Sequence, residues 1–221
     1  MKRFLALILA LILALSVAMA FTSCGGGSEA EDETDPAVEV EAETLLGMQP
    51  ALTAVAIYDE VYGGEYDPKN SSCFWKLIWI LTNLYGTNNE EVIFDLEGVI
   101  VPTSIVESYA KALFADYDGL LPLPEGTTIR YDEEQDAYVL PWGDTWILNT
   151  EYTRVDRDGN EYIVDADIVD MSDEENPVVL KSMRFGLVAS DGGNGESSGD
   201  AEDAGDAYMF SMSITSAEVV E

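Results

Sequence analysis

Cysteines, carboxylates and aromatic rings are the residues through which this chain of 221 could do chemistry, since it has 2 Cys, 43 Asp and Glu, and no His. The missing histidine removes the commonest general base near neutral pH and the commonest zinc ligand. Cys73 falls in the first turn of an expected helix, where a thiol is activated, but a cysteine enzyme also needs a base. It opens an apolar run, which marks it as a core residue. Two carboxylates about 5 to 10 Å apart, one with a raised pKa, would hydrolyse a glycoside. So many acids guarantee such a pair by chance, and the spacing singles out none. Asp156-Arg157-Asp158-Gly159-Asn160 opens like a calcium loop. Its glycine spacing fails and its flanks read as strands, so it is a hairpin turn. Trp142 and Trp146, with Tyr131 and Tyr138, are candidates for lining a carbohydrate or peptide groove, against the ordinary use of such rings in cores. No residue set asks for a metal or a cofactor.

The formal charge of −33 argues against nucleic acid as a partner, because affinity for a polyanion comes from basic side chains that displace counterions. Met1-Lys2-Arg3 followed by the apolar run Phe4 to Ala20 has the layout of a signal peptide. The run is also nearly long enough to serve as a membrane anchor. Phe21-Thr22-Ser23-Cys24, followed by Gly25-Gly26-Gly27, resembles the lipobox of bacterial lipoproteins, with Phe21 in place of the usual leucine. The resemblance implies that residues 1–23 are a removable signal and that Cys24 carries a lipid. It places the protein on the extracytoplasmic side of the cell membrane. Removal would take away Lys2 and Arg3 and no acid, leaving 43 acids against eight bases. Such a domain is repelled by anionic lipid and should stand off on its tether.

The tether is 24–44, where Ser28 to Glu43 carries eight acids and no base and has little to bury. A single domain is expected over 45–221, with a mobile acidic, Gly-rich loop at 190–206. Its helices are Leu45 to Tyr62 after Pro50, and Cys73 to Tyr85 between the capping oxygens of Asn70-Ser71-Ser72 and Gly86. A third helix should start at a capping box, Ser104 with Glu107. The second helix is apolar nearly all round, with Ser72, Lys76 and Asn83 as its polar stripe, and belongs in the core. Glu91 to Val101 reads as two short strands. Beyond Gly126 the period changes to two, giving strands near 127–131, 137–140, 145–155, 161–171, 178–189 and 207–219.

Helices followed by antiparallel strands make the fold class α+β, with two or three N-terminal helices packed on one face of a C-terminal sheet. That element order is similar to cystatin-like and NTF2-like domains. The chain also resembles uncharacterised lipoproteins of Gram-positive anaerobes in its Phe74-Trp75 helix, its Ser108-Tyr109-Ala110-Lys111-Ala112-Leu113-Phe114 run and Tyr131-Asp132. Those proteins have no assigned activity, so this resemblance implies no catalytic residue.

One hairpin register decides what the sheet shows to solvent. A three-residue loop, Arg157-Asp158-Gly159, pairs Tyr152 with Val164, Thr150 with Ala166 and Leu148 with Ile168 on one apolar face. Glu151 then faces Asp165, and Asn149 faces Asp167, as an acidic strip where a cation or basic partner would dock. The expected function is a membrane-anchored module that binds a protein or small ligand without catalysis. The rival is a carboxylate-dependent hydrolase acting on cell-envelope or extracellular glycans.

Overall fold

A computed structural model describes residues 45–143, 147–173, 175–189 and 210–220. Cys24, the tether, Trp146 and the 190–206 loop lie outside the described residues. Helices α1 (Gln49–Tyr62), α2 (Ser71–Tyr85) and α3 (Thr103–Leu113) are accompanied by eight strands among the described residues. These are β1 (Ile93–Phe94), β2 (Val99–Pro102), β3 (Arg130–Asp132), β4 (Ala137–Leu140), β5 (Leu148–Asp158), β6 (Glu161–Asp170), β7 (Val178–Ala189) and β8 (Met212–Val220). The fold is α+β, with three helices and two antiparallel four-stranded sheets ordered β1-β2-β4-β3 and β5-β6-β7-β8.

The division into two sheets corrects the single sheet expected from the sequence. β4 pairs not with β5 but with β2, setting Val101 opposite Tyr138 and Val99 opposite Leu140. Pro141 follows at once, and a residue without an N–H cannot extend the ladder.

α2 is the central helix. Asn70 accepts hydrogen bonds from the backbone N–H groups of Ser72 and Cys73, a cap that stabilises a helix by about 1 kcal/mol. Phe74, Trp75, Leu77, Ile78, Ile80 and Leu81 are then buried on nearly every side. Each contributes roughly 1.5 to 3 kcal/mol by leaving water. α1 packs on α2 and on β5, and α3 packs on α2 and β8. Under them lies the inner face of the second sheet, with Val164, Ala166, Ile168, Met183, Phe185 and Leu187 buried. Tyr66 ties the layers together, its hydroxyl lying 2.7 Å from the Leu113 carbonyl and 3.0 Å from that of Ile214. Among the described residues no helix is long and apolar enough to cross a membrane.

Two local expectations fail for tertiary reasons. α3 begins at Thr103, one residue early, and no side chain caps it, so the Ser104–Glu107 box is not formed. The Thr103 N–H and hydroxyl instead reach the carbonyl of Asp136, each at 2.9 Å, in the β3–β4 turn. Asp136 holds a positive φ of 48°, which its short side chain tolerates.

The β5–β6 loop has two residues, Gly159-Asn160, because Asp158 pairs with Glu161. Tyr152 therefore meets Ala166 rather than Val164, and Thr150 meets Ile168 rather than Ala166. A bulge between Tyr152 and Arg154 inserts an extra residue and reverses the alternation. Tyr152 and Val155, three apart, can thus both pack on the core. The three-residue loop fits only an unbroken ladder, and the bulge removes that condition.

Candidate functional site

Exposed Trp142 and Tyr62 lie near buried Trp79, where α2 meets the end of β4. Trp75 and Trp79 are one helical turn apart on α2, and each fixes a piece of connecting chain through its indole N–H. Trp75 donates to the Leu121 carbonyl at 2.9 Å, and Trp79 donates to the Pro141 carbonyl at 2.8 Å. Asn83, one turn beyond Trp79, donates to the Trp79 carbonyl and accepts from the Gly143 N–H, both at 2.8 Å. Only glycine fits at 143, since a Cβ there would stand 2.6 Å from Asn83 Cγ. Trp142 is therefore held by a bonded residue on either side. Its ring lies against Phe94, with centroids 5.5 Å apart, and remains 52% exposed.

The strip continues from Trp79 towards the end of α1. Tyr62 meets Trp79 edge-to-face at 6.1 Å and is 37% exposed. Lys76 Nζ sits 4.5 Å from the Tyr62 ring centroid and 4.4 Å from that of Trp79, within cation–π range. Partial burial pushes the Lys76 ammonium pKa below its ordinary value. The result is two ring pairs, Tyr62–Trp79 with Lys76 over both and Phe94–Trp142, linked through the Trp79–Pro141 hydrogen bond, with Tyr62 and Trp142 the exposed members and Trp79 buried. Such a surface can stack on flat apolar faces and donate hydrogen bonds from Lys76.

The sequence-derived candidates divide between places. Trp142 belongs to this strip, and Trp146 lies outside the described residues. Tyr131 and Tyr138 meet at a tilt of 45° with centroids 5.0 Å apart, and Tyr138 lies tilted against Trp75 at 4.7 Å. Glu151, Asp165 and Asp167 are on the second sheet. Glu151 lies opposite Asp167, which accepts from the Ser182 hydroxyl at 2.6 Å. Asp165 lies between Arg154 and Arg184. The expected acidic strip is in fact a face of mixed charge. The reading from sequence missed Tyr62, Lys76, Trp79 and Phe94. Lys76 and Asn83, polar within an otherwise greasy helix, were the available signal.

The remaining reactive groups are structural. Burial pushes the Cys73 thiol above its ordinary pKa, and the Asp67 N–H bonds its sulfur at 3.4 Å. Asp132, Asp136 and Asp165 are all held below the usual carboxylate range, by hydrogen bonds from Gln135, Tyr131 and Arg184 respectively. Among the described residues no group of three or more His, Cys, Asp or Glu side chains is placed to hold a metal ion.

No family model matches this chain, nor does any curated protein or solved structure. Its functional reading rests on its own residues.

Proposed function

We propose that this protein is a lipid-anchored extracytoplasmic binding module, held at the membrane through Cys24, that takes its ligand on the Tyr62–Trp79–Trp142–Phe94 strip. The observation that carries the reading is Trp142. A large ring left half in water costs solvation, yet two hydrogen-bonded neighbours and an obligatory glycine fix its backbone in that position. Rigid aromatic residues of this kind bind with little loss of conformational freedom. The ligand offers flat apolar faces, as a saccharide or an extended peptide does.

The rival hydrolase needs a carboxylic acid kept protonated near neutral pH, and therefore a raised pKa. Asp165, one of the sequence-derived candidates, is shifted the opposite way by its hydrogen bonds from Arg184 and does not fit the part of that acid. A panel of cell-envelope and extracellular oligosaccharides and peptides, assayed for both binding and cleavage, tests the choice. Binding that is lost in Trp142→Ala, with the ligand recovered intact, is expected. Cleavage that disappears in Glu151→Gln or Asp167→Asn, with the fold retained, would establish the hydrolase instead.

A further inference from the structure

The two sheets have four edge strands, and three are blunted. β1 and β3 are only two and three residues long. β5 is interrupted by its bulge, carries Arg154 and Arg157, and has its Thr150 carbonyl bonded by Gln49 of α1 at 3.0 Å. Bulges, charged side chains and a covering helix are the usual means of keeping an edge from pairing. β8 is guarded only near its start, where the Ala115 N–H reaches the Ile214 carbonyl at 2.9 Å. From Ser216 to Val220 it has no lysine, arginine or proline. No strand pairs with its outer edge among the described residues.

A row of charges crosses the second sheet and ends at that edge. Arg154 on β5 lies opposite Asp165 on β6, Asp165 opposite Arg184 on β7, and Arg184 opposite Glu218 on β8. The signs alternate, plus, minus, plus, minus, and the last charge is an exposed carboxylate. Val219 beside it points to the inner face opposite Met183, yet is 48% exposed. A strand added to β8 meets an acid flanked by apolar side chains.

We infer that the Ser216–Val220 edge accepts an extended segment of another protein, with a lysine or arginine opposite Glu218 and apolar residues on either side. This is strand addition, in which main-chain hydrogen bonds give affinity and alternate side chains give selectivity. Of the chain's own undescribed stretches, 24–44 and 190–209 contain no basic residue and cannot supply the cation, and Lys2 and Arg3 lie in the segment read as a removable signal. A second copy is opposed by the −33 charge that each chain carries. The inference stands independently of the aromatic strip.

The test uses the full-length chain in neutral detergent at physiological salt and two ten-residue peptides of alternating valine and threonine that differ at one central position, lysine in one and glutamate in the other. The lysine peptide is expected to slow amide hydrogen exchange in 216–220 and to bind about two- to five-fold more tightly than the glutamate peptide, the factor for one cross-strand charge pair. Glu218→Lys should reverse that order, and Glu218→Gln should abolish the preference with no change in melting temperature. Equal binding of both peptides, protection elsewhere, or an unreversed order would overturn the inference. A chain already paired through this edge before peptide is added would overturn it too, in favour of self-association.

Discussion

Arg184 grips Asp165 with both arms of its guanidinium, Nε to Oδ1 at 2.7 Å and Nη2 to Oδ2 at 3.1 Å, across neighbouring strands of the second sheet. The hydrogen bonds from Arg184 hold the Asp165 carboxyl below its ordinary pKa. A depressed folded-state pKa means the pair stabilises above the unfolded carboxyl's pKa. That stabilisation is lost as pH falls through the folded value. Asp165→Asn should therefore melt below the wild type at pH 7, and the gap should close on acidification towards pH 2. Melting curves across that range check it. A gap independent of pH would mean that the carboxylate charge contributes nothing.

Gly143 should tolerate no side chain. Gly143→Ala sets a methyl group against Asn83 and disturbs the bond that fixes Trp142. The expected loss is about 1 to 3 kcal/mol in urea unfolding, the range for overpacking a filled site. Trp142→Ala, at a half-exposed position, should cost less than Gly143→Ala despite removing a whole indole. The reverse ranking would show that Trp142 is there for stability rather than for a ligand.

Two core tyrosines, Tyr109 fully buried and Tyr66 partly buried, should respond oppositely to loss of the hydroxyl. Tyr109 is fully buried and its hydroxyl has no hydrogen-bond partner among the described residues, whereas the Tyr66 hydroxyl reaches two carbonyls. Removing a buried polar group that has no partner relieves a desolvation cost, whereas removing the Tyr66 hydroxyl takes a donor from the Leu113 carbonyl, although the Ile214 carbonyl keeps the Ala115 N–H. Tyr109→Phe should raise the melting temperature or leave it unchanged. Tyr66→Phe should lower stability by about 1 to 3 kcal/mol. A fall in both variants would reveal a partner for Tyr109.

These features also mark how far the sequence could be read. α2 was legible because its signals are local, with a capping asparagine before an apolar run. The start of α3 was not, because Asp136, 33 residues from Thr103 in the chain, replaces the local cap. The short strands of the first sheet were expected near their places, β4 at its residue limits, but not as a separate sheet, because the β2–β4 pairing joins segments far apart in the chain. Long β7 was read to its residue limits, but the register of β5 was not. Nothing in Tyr152-Thr153-Arg154 announces a bulge. For the binding strip, Trp142 could be named from its type alone. Its partner Phe94 lies 48 positions away and is joined to it only by the β1-β2-β4 pairing.

Anchoring makes a separate prediction. Cells given a fatty-acid analogue should label the wild-type protein, and Cys24→Ala should lose both the label and signal removal. A label that persists in that variant would show that the resemblance to a lipobox is coincidental.

The most direct measurement is the indole N–H region of a ¹⁵N NMR spectrum of the full-length protein, recorded as oligosaccharides and peptides are added. Trp75 and Trp79 have their indole N–H groups tied to backbone carbonyls, whereas Trp142 presents an exposed ring. A binding strip predicts that the Trp142 resonance moves most and saturates, that Trp79 follows weakly, and that Trp75 stays still. A ligand that binds with all three resonances unmoved would contradict the assignment of the site.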